Sequence, residues 1–467
     1  MKAKVTHIGS RAPKGNGTPA EILDSDMANS ERLAARHGCD IRFTAGRGWF
    51  VWDSKRFAPD EKGVKLQALA KDSARAIFDE IECAMDQVAM FRHAKRSQSK
   101  NAIDAMIWLA RSEPGIPANL TDFDADPWLL NVANGTLDLR TGSLRPHRRE
   151  DLITRLVDVP YDAGAYFDLW DGFLLRITDG SDDLYQYLRR LTGYLLTGQT
   201  SEQVLHFLHG LGANGKSVFC EIIEALLGDY AIVVSPELVM QKRHGGIPND
   251  IARLRGVRVA MMNETSQGAR FNEAKLKDLT GGDSLTGRFL HAEFFDFSPT
   301  HKLMIRGNHK PAIHGTDEGI WRRLRLVPFT VTIPPEEQDR GLLDKLKAEL
   351  PGILRWAVEG CLEWQRIGLR PPAIITDAVR QYREESDTLG RFIAESCTAS
   401  NLSDVKSSAF FARYQAFCEQ AGERWTASKD LPAEMQRRGF NWKRTKAGGV
   451  FLGLELDAAR DYWSDAQ

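Results

Sequence analysis

Residues 204–217 read VLHFLHGLGANGKS, and the helix-like run VFCEIIEALLG continues from Val218. Gly210, Gly212, Ala213, Asn214, Gly215, Lys216 and Ser217 therefore fall in a GxxxxGK[ST] pattern set between a strand signal and a helix signal, the context in which this motif has a physical meaning. Glycines let backbone N–H groups turn inward around phosphates, and a helix opening at Lys216-Ser217-Val218 adds its positive dipole end. Lys216 is placed to reach β- and γ-phosphates, and Ser217 to ligate a magnesium ion. The expected ligands are ATP and Mg2+. A second feature follows downstream. The apolar run Val257-Arg258-Val259-Ala260-Met261-Met262 ends in Asn263-Glu264. A carboxylate at such a strand tip beside a phosphate loop can polarise an attacking water and help hold Mg2+.

Residues 275–311 then contain Gly281-Gly282-Asp283, a basic and aromatic segment with Arg288, Phe289 and His291, and a third apolar strand, Leu303-Met304-Ile305, that ends at Asn308. GIWRRLRLVPF places Arg322 and Arg323 just before another strand. In this order the motifs resemble those of the superfamily 3 helicases. More closely, they are similar to the C-terminal part of the phage/plasmid and poxvirus-type primase–helicases, with segment 124–147 similar to the domain preceding the helicase. The resemblance implies several roles. Lys216 and Ser217 match the Walker A pair, and Glu264 the Walker B carboxylate, with Asn263 where relatives carry a second acid. Asn308 matches a polar sensor of water or γ-phosphate. Arg322 or Arg323 matches an arginine finger that reaches a neighbouring subunit's nucleotide, Arg323 being favoured because it abuts the strand. Segment 287–293 falls where these helicases carry a hairpin lining a DNA channel, so Arg288 and His291 would contact phosphates and Phe289 would stack. The implied assembly is a homo-oligomer, a hexameric ring on single-stranded or forked DNA, with a possible separate primase.

Other segments must position these residues. Residues 1–25 read as a tail, and 26–164 as an α+β domain. Within it a helix precedes strands DIRFTAG and GWFVWDS, and 129–147 carries hairpin signals at Asn134-Gly135 and Thr141-Gly142. The basic run 92–100 reads as a solvated helix end. Asp122, Asp124 and Asp126 alternate, but Pro127 argues for a loop; no other acidic cluster precedes them, and the expectation is no primer synthesis by this chain alone. Residues 165–370 read as the ATPase domain with flanking helices. After Pro371-Pro372 a helix runs to about 397 and is followed by helix, helix and hairpin, the layout of a winged helix. Its hairpin carries Lys443, Arg444 and Lys446, and the preceding helix Arg437 and Arg438, all candidates for DNA contact. The expected fold class is multidomain α/β: an AAA+-like P-loop core, an α+β N-terminal domain and a C-terminal winged helix.

The 467 residues exceed one core. A net charge of −1 excludes a chain that binds nucleic acid over its whole surface and requires any DNA contact to be local. Six scattered cysteines without a CxxC pair argue against zinc ribbons and disulfide frameworks. No apolar stretch has transmembrane length and no signal peptide is visible, so no membrane partner is expected and the expected compartment is a reducing cytoplasm, which the resemblance to phage proteins makes that of a bacterial host. The leading expectation is an ATP-driven ring helicase that replicates a phage or mobile element. An ATP-regulated DNA-binding initiator without processive unwinding, and a defence or packaging motor, are the alternatives.

Overall fold

Alternating apolar and polar runs in the first 160 residues become two small antiparallel sheets. Ile41–Thr44, Gly48–Trp52 and Phe57–Pro59 form one, and Leu129–Val132, Gly135–Asp138 and Ser143–Arg145 the other. The computed structural model describes residues 24–241, 249–263, 268–288, 293–313, 318–422, 425–446 and 448–457. Glu264, Phe289 and His291 lie outside the described residues, as does nearly all of the expected tail. The chain divides into two units, residues 1–161 with 291–293, and residues 162–290 with 294–467. Among the described residues no helix is long and apolar enough to cross a membrane.

In the first unit, helix Asp26–His37 starts at Ser25, whose side chain accepts from the Ala28 amide, and ends in Arg36 and His37, which favour its negative end. It packs with helices Val64–Ala76 and Lys100–Leu109 around Leu33, Ile41, Val51, Leu66 and Met106. The basic run is only partly a solvated helix end. Within helix Gln87–Ser97, His93 and Ser97 are buried and hydrogen-bond the buried Asn29. The alternating aspartates are structural. Asp122 closes a capping box with Asn119, Asp124 accepts from the Thr154 amide, and Asp126 pairs with Arg140.

In the second unit five strands form a parallel sheet in the order Leu324–Pro328, Leu205–His209, Lys302–Gly307, Val259–Asn263, Ala231–Val234. The three middle strands are buried along most of their length, as continuous apolar strands covered on both faces must be. The multidomain α/β expectation with a parallel sheet therefore holds. Helix Asp182–Leu196 crosses helix Leu350–Ile367 at glycines. A Cβ on Gly193 would lie 2.0 Å from the Cys361 nitrogen, and one on Gly360 2.2 Å from the Arg189 carbonyl oxygen. Only residues without side chains permit that approach. The end of helix Asp182–Leu196 is capped by two buried basic side chains: Arg258 donates to the Leu196 carbonyl and Lys302 to the Thr197 carbonyl.

Beyond Pro372 the single expected helix is two, Ala373–Ser386 and Thr388–Ser396, because Asp387 caps the second through the Gly390 amide. Strand Cys397–Lys406, which its polar sequence does not announce, joins Gly448–Leu456 and Trp442–Thr445 in a three-stranded sheet. Helices Ser407–Ala421 and Leu431–Arg437 cover it, with Phe392, Phe410, Tyr414 and Phe451 at the centre.

His206, the second residue of its strand, is fully buried beside Tyr187, and neither ring nitrogen has a hydrogen-bond partner among the described residues. Burial, reinforced by Arg325 and Lys302, lowers its pKa from 6.5 to about 3. Burial lowers that of His301 to about 4. Both rings stay neutral in the folded chain, while the unfolded chain protonates them below pH 6.5. Stability is therefore complete above that pH and falls as pH drops from 6.5 towards 4, by about 1.4 kcal/mol per pH unit for each ring. Thermal unfolding between pH 7.5 and 5 should show this slope, and His206→Leu should make it shallower by one proton.

Candidate active site

The site stands at the carboxyl end of the parallel sheet. Strand Leu205–His209 delivers the chain to Gly210, and helix Lys216–Leu227 carries it away. Between them Gly212, Ala213 and Gly215 hold φ values of +113°, +46° and +80°, a path that favours glycine. A Cβ on Gly210 would lie 2.3 Å from the Phe329 carbonyl oxygen. That oxygen also accepts from the buried Asn214 amide at 3.2 Å, and the Ala213 carbonyl accepts from the Ile333 amide at 2.7 Å. The segment after strand Leu324–Pro328 thus straps the loop in place.

Lys216 is the centre of this arrangement. An exposed lysine on a surface loop is what the motif suggests, yet Lys216 is only 6% exposed. Its ammonium donates to the Gly210 carbonyl at 2.7 Å, to Asn214 Oδ1 at 3.2 Å and to Asn308 Oδ1 at 3.1 Å. The structure therefore brings Lys216 and Asn308 together across 92 positions of sequence. Parallel pairing of Gly307 with His209 does this, because it sets the residues after each strand side by side. Ser217 is exposed at the start of the helix and Val218 is half-buried. Both line a cavity of about 480 Å³ together with Lys216, Asn263, Arg306 and Asn308. A buried ammonium, a hydroxyl and the amino end of a helix on one concave wall suit a chain of phosphates, so the residues present fit ATP. Ser217 is the described candidate for Mg2+. No described cluster of three His, Cys, Asp or Glu could hold a metal by itself. Glu264 would follow Asn263, whose strand reaches this wall.

The other candidates lie elsewhere. Arg288 ends strand Leu285–Arg288 opposite Phe294, with its guanidinium 4.9 Å from that ring. This is an antiparallel hairpin whose tip lies outside the described residues. Arg322 and Arg323 sit at the far end of the sheet, since the Arg323 carbonyl accepts from the Leu205 amide. A five-residue strand, about 17 Å long, separates them from their own loop. The two arginines differ: Arg323 is half-buried and donates to the Gly319 carbonyl at 2.9 Å, whereas Arg322 is exposed. The preference for Arg323 drawn from its place in the sequence is not what the geometry favours. Lys443, Arg444 and Lys446 are exposed on the C-terminal hairpin. Arg438 is instead tied to Glu434 and Asp387, so it is an ion-pair residue of that domain. Sequence reasoning missed Arg306 and the Phe329–Ile333 strap. A charge inside the apolar run LMIRGN was a signal for the first; the strap carries none.

Residues 30–179 match the family model described as D5 N terminal like, and residues 208–323 match a family of unknown function, DUF5906. The chain is 26% identical over 303 residues to a protein named "Putative helicase" of Acanthamoeba polyphaga mimivirus, covering 60% of this chain and 31% of that protein. It is 30% identical over 233 residues to a "Putative helicase" of Frog virus 3, covering 45% and 24%. It is 28% identical over 211 residues to a "Putative primase" of African swine fever virus, covering 43% and 22%. Over these segments the chain is similar to D5-like viral proteins named as helicases and primases. It spans less than a third of the length of these viral relatives. Among solved structures, the apo form of the NrS-1 C-terminal region aligns with this chain at a TM-score of 0.41 and 10% identity, covering 76% of this chain and 90% of that one.

Because Lys216 is buried with three oxygen acceptors, Lys216→Ala should do two things. It should abolish binding of a fluorescent ATP analogue, and it should destabilise the chain by about 1–3 kcal/mol through the acceptors left unpaired. Titration and thermal melting check both. Unchanged nucleotide affinity in a folded variant would remove the phosphate-loop assignment.

Proposed function

We propose that this chain is an ATP-driven DNA helicase of the superfamily 3 type, acting in replication of a phage or mobile element. The observation that carries the reading is the meeting of the Lys216 ammonium with Asn308 at 3.1 Å, on a loop between strand and helix. A P-loop lysine and a polar sensor must share one phosphate, and that requires their strands to be neighbours, as these are. The five-stranded parallel sheet supports an AAA+-like core. The order helix, strand, helix, helix, strand, strand over 388–456 supports a C-terminal winged helix. We read residues 1–25 as a tail, 26–164 as the pre-helicase domain, 165–370 as the ATPase and 371–467 as the winged-helix domain.

In this mechanism Lys216 and Asn308 hold the terminal phosphate while Glu264 accepts a proton from the attacking water. Bound Mg2+ would supply charge neutralisation between phosphates, with Ser217 and Glu264 as its protein partners. Arg322, exposed and about 17 Å of strand away from its own loop, serves the neighbouring subunit. An arginine supplied in trans contributes roughly 10³–10⁵ in rate in other nucleotidases. The active site then exists only between subunits, and the ring, read as a hexamer, carries Arg288, Phe289 and His291 toward DNA. Names of the viral relatives support a nucleic-acid role, and a separate primase is a possible partner.

Two measurements test this. Unwinding of a forked duplex should require ATP and fail in Arg288→Ala, which keeps basal ATPase; ATP-independent binding without unwinding would favour the initiator reading. Specific ATPase should rise with protein concentration, and mixing Arg322→Ala with Glu264→Gln subunits should restore part of the lost activity. A monomer that is fully active by light scattering and ATPase assay would sink the ring.

A further inference from the structure

We propose that Arg306 reads the number of phosphates on the nucleotide held in this site, exchanging a resting contact with Glu221 for the terminal phosphate. Given a nucleotide at Lys216, as proposed above, Arg306 becomes a second phosphate-binding cation of the same subunit.

The sequence places a charge where packing disfavours one. Strand Lys302–Gly307 is central and largely buried, flanked by Leu205–His209 and Val259–Asn263. Side chains alternate along a strand. Leu303 and Ile305 enter the apolar core, so Arg306 stands on the opposite face. Asn308 follows at the same period and reaches Lys216. Arg306 is also the register partner of Asn263, the residue before Glu264. Arg306 therefore stands on the wall of the cavity that Asn263 and Asn308 also line.

Its contacts are loose. Arg306 Nη1 lies 3.3 Å from Glu221 Oε1 and 3.4 Å from the Ser217 carbonyl oxygen. Charge-assisted bonds of this kind ordinarily close to about 2.7–2.9 Å. Glu221 is 41% exposed, so the pair is weakened by solvent. Arg176 and Glu337, also near the cavity, close to 2.8 Å even at 42% and 52% exposure. Arg306 is held near the amino end of helix Lys216–Leu227 without a tighter partner among the described residues. Two oxygens of a tetrahedral terminal phosphate can accept both N–H groups of a guanidinium fork, and the phosphate carries more charge than Glu221. A triphosphate would draw Arg306 from Glu221; a diphosphate would leave the pair in place. The interaction would couple the state of the nucleotide to the first turns of the helix through Glu221.

The test is equilibrium titration of the intact chain, with Mg2+, using fluorescent ADP and a fluorescent β,γ-imido analogue of ATP. Arg306→Gln should weaken the triphosphate analogue roughly tenfold or more and leave ADP within about twofold, as loss of one charged hydrogen-bonding partner predicts. Arg306→Lys should restore part of the difference. Glu221→Gln, a mild change on a helix surface, should tighten the triphosphate analogue by releasing Arg306. Equal weakening of both nucleotides in Arg306→Gln, no change in either, or weakened triphosphate binding in Glu221→Gln would overturn the proposal. Failure of the wild-type chain to bind either nucleotide would instead overturn the nucleotide reading of the site, and this proposal with it.

Discussion

The Lys216 ammonium sets the terms for the rest of the core. A buried cation is costly unless every donor finds an acceptor. Here Gly210, Asn214 and Asn308 each supply one oxygen. Each acceptor in turn fixes something larger. Gly210 must lack a side chain because the Phe329 carbonyl stands against it. Asn214 spans from the ammonium to that same carbonyl. Asn308 is available only because strand Lys302–Gly307 pairs in parallel with Leu205–His209.

Behind this end of the sheet the helices form a tight backing. Trp170 stacks on Phe219, one turn into the phosphate-loop helix, with ring centroids 5.8 Å apart. It meets Trp356 edge-on at 5.5 Å. The glycine crossing at Gly193 and Gly360 brings helices Asp182–Leu196 and Leu350–Ile367 into backbone contact. The buried basic side chains of Arg258 and Lys302, over the rings of Tyr230 and Tyr194, tie the sheet's amino end to the first of these helices. Packing of this density resists deformation, so the glycine loop is mounted on a rigid base.

The groups proposed to meet DNA and neighbouring subunits lie away from that centre. The hairpin carrying Arg288 rests on helix Asn249–Ala252, where a Cβ at Gly287 would come within 2.8 Å of Ala252. Arg322 is at the opposite end of the sheet from the loop. Lys443 and Arg444 stand exposed on a hairpin whose aromatic core is separate from that of the sheet. A chain of net charge −1 can hold nucleic acid only through such local placements.

Sequence alone determined a good deal. The glycine spacing, the apolar strands and the helical runs are local patterns, and they located the glycine loop between strand and helix, its flanking elements, Asn308 and the hairpin strands. It also carried the resemblance to the primase–helicases, because the order of motifs is linear information. Tertiary structure decided the rest. Burial of Lys216 depends on Asn308 and on Phe329, which holds Asn214, and these residues are far apart in sequence. Strand Cys397–Lys406 forms because Gly448–Leu456 offers it an edge, against its own polar composition. His93 and Arg438 look like solvated charges in sequence and become bonded residues only when Asn29, Glu434 and Asp387 arrive beside them. The strap at Ile333 and the stance of Arg306 toward Glu221 are relations between distant segments, and no local pattern encodes a relation of that kind.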